Sequence, residues 1–458
     1  MREVFAKKKE DPKDECAGNV TAEQMQADAV LATECVVKTL QETGDYAYVE
    51  KDYIFTNQFM KKPKTAKPAT LGVTPNDPLF GLQWNFKTNG TGAGQSAGGA
   101  GFNDFWTKAK LTGSRSVTVA VVDTGLQMNH PDIKNSANLA PGYDMVSDPM
   151  MGNDGDGRDS DPNDPGDKCD PSDPTTSDTF HGTHVAGTVG VASTNNASGI
   201  AGGAWDVTIV PVRALGRCGG KLSDINDAIR WAAGKVPARD AQGREIWNSH
   251  PADIINLSIG LFEPCPASMQ AAINDAVATG AIVVAAAGNA RIDTKYFAPG
   301  GCDNVISVAA SDARGQLTPY SNFGAKVSIM APGGDMTRDD DGDQRPDGIL
   351  STKYATDCYD PAKPGVQVAQ CYYSYENGTS MAAPHVAAAL ALLKAKFPAL
   401  APSQLKERLL QASSARTPLQ CSGKCSNYPG TTPIPGSEGL CFRPCGEKML
   451  NLSNAAMQ

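Results

Sequence analysis

The chain has 458 residues, 40% of them hydrophobic, with 46 glycines and a net charge of −9; its mean hydropathy is −0.32. That composition describes a folded, turn-rich protein and excludes a fibrous or wholly disordered one. An acidic balance argues against a nucleic-acid partner, which needs a basic face. No apolar run approaches the roughly 18 residues of a bilayer-spanning helix, so no membrane partner is expected.

The first residues, "MREVFAKKKEDPKDECAG", are charged and lack the apolar region of a secretory signal. Residues 22–43 carry apolar positions at helical spacing, and "YAYVEKDYIF" at 46–55 alternates like a strand. The basic, proline-containing stretch at 61–70 reads as an exposed linker. A small α+β unit over 1–60 is therefore expected, tethered by 61–74 to a large domain over 75–458.

Within the large domain, apolar β-branched runs at 117–123, 206–215, 252–260, 281–289 and 305–310 alternate with amphipathic helical stretches at 222–234 and 267–280. Continuous apolar strands alternating with helices predict a three-layer α/β fold, with a mostly parallel central sheet covered by helices on both faces. Ligands of such sheets sit beyond the carboxyl ends of the strands, and three of these runs end near Asp123, Ser258 and Asn289.

Two acidic insertions interrupt the pattern. The first, 153–174, has the composition of a solvated, disordered loop. The second, 338–348, places Asp339, Asp341, Asp343 and Asp347 at odd spacing around Gly342, which suits a loop wrapping calcium in hard oxygen ligands.

The twelve cysteines fall into even groups: Cys16 and Cys35, six from Cys169 to Cys371, and Cys421, Cys425, Cys441 and Cys445. Disulfides inside each group are expected, and with them an oxidising compartment. A zinc site in the last four is the weaker reading, because only two pairs are closely spaced and no histidine is near. With no signal at its start, either a leader upstream of Met1 is expected or the disulfide reading fails, and the first is favoured.

Chemistry concentrates in three stretches. Asp123 stands in "VAVVDTGLQMNHPDI", His181 opens "HGTHVAGTVG", and Ser380 lies in "YENGTSMAAPHVAAALALL". Serine is a poor residue for a helix interior, and the simplest reading makes Thr379 or Ser380 an N-cap. The order Asp, His, Ser, with Asn289 after "VVAAAG", instead supplies every role that acyl transfer needs. The imidazole would activate the hydroxyl, the carboxylate would orient the imidazole, and Asn289 with the Ser380 amide would hold an oxyanion.

"VVDTGLQMNHPD", "HGTHVAGTVG" and "GTSMAAPHVA", together with "INLSIG" and "AAAGN", resemble the signatures of the subtilisin-like serine proteases over about 75–458. The resemblance implies Asp123, His181 and Ser380 as catalytic residues and Asn289 as oxyanion donor. It implies substrate binding by Ser258, Ile259 and Gly260 as a strand-pairing edge, by Leu215, Gly219 and Gly220 on the opposing rim, and by Gly288. Asp132 and Asn196 match ligands of a structural calcium site, and Cys218 with Cys265 are expected to pair across the two rims. The segment "TKYFAPGGCDN" should line the primary side-chain pocket, with Phe297 at its floor. His184, His130 and His385 take structural roles, and His250 looks like a surface residue.

The front unit resembles the end of the inhibitory propeptide of this family, its own intramolecular inhibitor, with cleavage expected between about Phe55 and Thr74. The closing "CGEKMLNLSNAA" resembles the end of the catalytic domain, with no further domain expected. The implied protein is a secreted serine endopeptidase, acting on protein and peptide substrates, stabilised by calcium and made as a zymogen. The rivals are a silent calcium-binding scaffold on the same fold and a metal-dependent hydrolase.

Overall fold

A strand covered on both faces must be apolar along its whole length, and β2 (Thr118–Asp123, "TVAVVD") is buried at all six positions. In the computed structural model of the protein it lies inside a nine-stranded sheet. The structure describes 75–455 except 174, 241, 364, 425–430 and 438; before 75 it describes only 33, 36–38, 40, 41, 50, 52, 54 and 55. The propeptide-like helix and the tether therefore fall mostly or wholly outside the described residues, as do Cys16 and Cys35. The strand end Ile54–Phe55, β1, is described.

The remaining sheet strands are β3 (Tyr143–Asp144), β4 (Thr208–Arg213), β6 (Ile254–Leu257), β7 (Ile282–Ala286), β8 (Val305–Ser311), β9 (Val327–Pro332), β12 (Ser414–Ala415) and β13 (Lys448–Met449). Their order is β12-β13-β9-β8-β7-β6-β2-β4-β3. Every pairing from β13 to β3 is parallel, and only β12 runs against its neighbour. A short strand, β5 (Gly220–Lys221), stands apart and pairs antiparallel with β1.

The pleat sends alternate residues to opposite faces. Val119 and Val121 enter one core with α1 (Phe102–Ala109), α2 (His181–Val189) and α5 (Thr379–Lys396). Ala120 and Val122 enter the other with α3 (Leu222–Ala232) and α4 (Ala267–Ala278). Helix α5 is buried on every side from Thr379 to Leu393, as expected of an apolar helix inside a large domain. The three-layer α/β expectation holds. A long hairpin, β10 (Ile349–Tyr359) and β11 (Gln367–Glu376), lies against α2.

Cys218 and Cys265 do not pair with each other. Cys169 bonds Cys218, Cys265 bonds Cys302, Cys358 bonds Cys371, and Cys421 bonds Cys445. The physical reason is that each rim is stapled to the wall beside it: the acidic insertion delivers Cys169 to the Cys218 turn, and Cys265, just before α4, meets the loop after the 3₁₀ turn at Thr294–Tyr296. Cys421 and Cys445 are oxidised together and cannot serve as zinc thiolates.

The first acidic insertion is packed in part, with Asp164 and Asp167 buried while 154–156 and 169–172 stay exposed. Arg213, at the end of β4 and buried, binds the carboxylates of Asp144 and Asp154 and the Gly152 carbonyl. A buried guanidinium needs such partners, and it draws the insertion onto the sheet end.

Helix α2 sits so close to its neighbours that a Cβ at Gly182 would collide with the Gly125 carbonyl oxygen, and one at Gly187 with the Thr352 hydroxyl. Backbone cannot yield as a flexible side chain can. Gly182→Ala is expected to lower stability by about 1–3 kcal/mol, read as the denaturant midpoint.

Candidate active site

Asp123 is the last residue of β2, and its carbonyl holds the start of the next crossing through the Ala214 and Leu215 amides at 2.8 and 3.1 Å. Ser258 follows β6, and Asn289 lies just beyond β7. His181 is the first residue of α2, and Ser380 the second of α5; these two helices pack on each other. Strand carboxyl ends and helix starts thus gather all five residues at one edge of the sheet.

His181 Nδ1 lies 2.7 Å from Asp123 Oδ1, and both side chains are fully buried. A carboxylate only accepts, so Nδ1 carries the proton and the neutral ring presents its lone pair at Nε2. Burial by itself pushes the imidazole down, but the Asp123 charge and hydrogen bond outweigh it, and the pKa stands above the ordinary value of 6.5. The Thr124 amide donates to Asp123 Oδ1 at 2.8 Å, and the Thr124 hydroxyl donates to Asp164 Oδ2 at 2.6 Å while accepting from the Gly182 amide at 2.9 Å. Asp164 is buried, and burial followed by repulsion from Asp167 pushes it up to about 7.

Entry to α2 is strained. Phe180 has φ +44°, a left-handed conformation that costs a bulky residue about 1–3 kcal/mol. Its ring meets Tyr354 of the hairpin edge-on at 5.4 Å.

The N-cap of α5 is Gly378, which makes no side-chain cap bond, so neither Thr379 nor Ser380 caps the helix. The Thr379 amide and hydroxyl each donate to Asn289 Oδ1 at 2.8 Å, and the same hydroxyl accepts from the Gly288 amide at 3.0 Å. An added Cβ on Gly378 would stand 3.2 Å from the Asn289 Nδ2 and 3.6 Å from the Ser380 amide nitrogen. Two N–H donors therefore border one small space. The Ser380 hydroxyl donates to the Ser258 carbonyl at 3.1 Å, and the Ser258 hydroxyl to the Ser380 carbonyl at 2.8 Å.

Around this centre, Gly260 and Gly288 both face the Phe297 ring, which a Cβ at Gly260 would overlap. Phe297 is only 2% exposed and touches Phe262 edge-on at 5.5 Å. Ile259 is buried; so is Leu215, while Gly219 closes a tight turn with Gly216. Gly220 is paired with Phe55 of the front segment and Lys221 with Ile54. Asp52 accepts from the Ser223 amide and hydroxyl at 2.7 and 2.6 Å, and Glu50 accepts from the Ser268 amide at 2.8 Å, so the two carboxylates sit at the starts of α3 and α4.

Of the expected metal ligands, Asp132 is buried and its Oδ1 has no hydrogen-bond partner among the described residues. Burial first, with the charge of Asp77 adding, pushes it up to about 6. Asn196 Oδ1 accepts from the Ser198 amide at 2.9 Å, and a further acid, Asp77, which the sequence reading did not single out, lies close enough to act on Asp132. In the second loop Asp339, Asp341 and Asp343 converge, with oxygens all within 4.8 Å of one another. Asp347 is not in that group; its Oδ2 accepts from the Asp340 amide at 2.6 Å.

The other histidines are tied into the core. His184 Nε2 donates to the Ile349 and Ser374 carbonyls at 3.0 and 3.1 Å. His130 meets the Tyr372 carbonyl at 2.5 Å, and His385 spans the Met381 carbonyl and Asn85, both at 2.7 Å. Burial pushes all three well below the ordinary range.

The Subtilase family profile matches residues 114–430. An extracellular protease of Xanthomonas campestris pv. campestris is 42% identical over 363 residues, 77% of this chain and 55% of that protein. An extracellular basic protease of Dichelobacter nodosus is 35% identical over 393 residues, 81% of this chain and 57% of that protein. A solved structure of a Pseudoalteromonas arctica protease superposes with a TM-score of 0.65 at 37% identity, covering 84% of this chain and 99% of that one. The chain thus spans just over half the length of the two curated relatives. With most of its length matched by the profile and by these proteases, this chain belongs to the subtilase family.

Proposed function

We propose that the protein is a secreted serine endopeptidase that cleaves peptide bonds through an acyl-enzyme. The observation that carries this reading is the buried 2.7 Å contact between His181 Nδ1 and Asp123, which leaves Nε2 as the base on a helix packed against the one that bears Ser380. The Ser380 hydroxyl turns from the Ser258 carbonyl to Nε2, its proton passes to the imidazole, and Oγ bonds to the substrate carbonyl carbon. Asp123 stabilises the imidazolium. The oxyanion is held by Asn289 Nδ2 and the Ser380 amide; a donor of this kind is worth about 10²–10³-fold in turnover in this same family. Collapse expels the amine, which takes the proton from His181, and water then releases the acyl group by the same path.

The substrate backbone adds as a strand along Ser258-Ile259-Gly260 and the Gly219-Gly220 rim. The contact of Phe55 with Gly220 supports the reading of 1–60 as a propeptide: it occupies an edge that substrate needs, so the chain is a zymogen until the 61–74 tether is cut. Two calcium sites are part of the proposal. Asp132 with Asp77 would hold one ion, and Asp339, Asp341 and Asp343 the other, the orphaned oxygen of Asp132 and the crowded trio both fitting a hard cation.

Ser380→Ala is expected to abolish peptidase activity, labelling by an organophosphorus serine reagent and release of the front segment, while leaving the circular dichroism spectrum unchanged; a variant that still matures alone at the normal rate would sink the mechanism. Phe297→Ala should empty the pocket floor, so that preference in a peptide-library digest moves from small residues before the cleaved bond to large ones. Removing calcium with a chelator should lower the unfolding temperature, by an amount equivalent to about 2.7 kcal/mol when the ion stood at a hundred times its dissociation constant, and Asp341→Asn should remove part of that response in calorimetry.

A further inference from the structure

Lys353 of β10 and Glu376 of β11 form an ion pair in which the two side chains are only 9% and 10% exposed. Charged groups so far from water are retained only where their partners are fixed. Neither residue belongs to the three family signatures around Asp123, His181 and Ser380, yet each is anchored to one half of the centre. The Lys353 ammonium also donates to the Thr179 carbonyl, two residues before His181. Glu376 is four residues before Ser380, on the same strand-to-helix connection. The neighbouring hairpin residues repeat the attachment, Ser351 donating to the His184 carbonyl and Thr352 to the Thr183 carbonyl, each at 2.7 Å.

We propose that the Lys353–Glu376 pair is a positioning element of the active site: it bridges the segment that carries the general base to the segment that carries the nucleophile, and presents His181 with two opposite charges whose fields offset. This rests on the serine-peptidase reading above. The bridge spans residues almost two hundred positions apart at Thr179 and Glu376, and it holds the carbonyl of Thr179, the residue before the strained Phe180, while Asp167 Oδ1 accepts from the Thr179 amide at 2.5 Å.

The charges also reach the imidazole. Glu376 raises and Lys353 lowers the affinity of His181 for its proton, after burial and Asp123. Burial pushes the Glu376 carboxyl up, but the Lys353 charge leads the effects that outweigh it, so it stands below the ordinary carboxylate value. The other groups facing His181 are Asp123 from β2, His184 on its own helix and, behind Thr124 and Thr179, Asp164 and Asp167; α5 brings only the buried His385.

The test uses the full chain and compares pH profiles of kcat/KM. Glu376→Gln keeps the volume and leaves the ammonium without its counter-charge; the acidic limb should move to lower pH by about half a unit or more, and kcat should fall. In the double variant Lys353→Met with Glu376→Gln, no net charge remains at the site. There the limb should return towards wild type while kcat stays about tenfold or more below it, with KM within about twofold, because the bridge is gone. Lys353→Arg should keep both near wild type. An unmoved limb in Glu376→Gln, a limb still displaced in the double variant, or wild-type kcat in the folded double variant each overturns the proposal. If Glu376→Gln does not fold, the kcat of the double variant, which buries no unpaired charge, decides alone. A wild-type protein whose hydrolysis ignores the serine reagent would defeat the underlying peptidase reading before any variant is compared.

Discussion

A fully buried imidazole can accept a proton only where a negative charge is already waiting for it. The contact between Asp123 and His181 meets that condition, and much of the surrounding structure serves to hold it. Asp123 cannot swing away, because the Thr124 amide fixes one of its oxygens and its own carbonyl is pinned by the crossing after β4. His181 cannot tilt, because Thr124 ties the Gly182 amide to the same turn and the Gly182 Cα has no room to spare against Gly125. Removing one member of a buried charged pair typically costs about 3–5 kcal/mol, so these contacts serve stability and chemistry at once. The sheet supplies the common edge, and the helices supply the close approach.

The front segment exploits the same edge. A strand end adds to Gly220-Lys221 while Glu50 and Asp52 sit at the starts of α4 and α3, where free backbone amides favour a carboxylate by about 0.3–1 kcal/mol each. Folding a parallel sheet needs distant segments to meet before contacts repay the cost. A segment that grips two helix starts and one rim strand brings them together, so assistance to folding and occlusion of the cleft follow from one set of contacts in the proposed zymogen.

What the sequence made legible was whatever is encoded by short spacing. Parallel strands read as continuous apolar runs because both faces are covered, and the four centre residues stood beside recognisable glycines and small side chains. What stayed hidden depends on how separated segments meet. The partner of Cys218 could not be told from spacing, because Cys169 reaches it only after the acidic insertion folds back. That folding had one signal: Arg213, a charge inside the apolar run "TIVPVR", which must bury carboxylates with it. The approach of Asp77 to Asp132, the bond between the Asp340 amide and Asp347 and the Thr124–Asp164 link are likewise products of loop conformation. Lys353 and Glu376 left a fainter trace, Glu376 ending the tyrosine-rich alternation "YYSYE" with a charge at a position where a strand meets a buried helix.

The disulfide pattern bears on how such a cleft can be both stiff and open. Cys169–Cys218 and Cys265–Cys302 close loops of 49 and 37 residues, long enough to remove about 4 kcal/mol of chain entropy each from the unfolded state in the loop-closure account. Each tether runs from a rim to the wall beside it, and neither crosses the cleft. A bond between Cys218 and Cys265 would have fixed the distance between the two rims that an extended substrate enters in the proposed function, whereas local tethers stiffen each rim and leave that separation to the sheet beneath. The Cys358–Cys371 bond does the same for the hairpin, whose root carries the Lys353–Glu376 pair, so the element that bears on the entrance to α2 is itself braced at its far end.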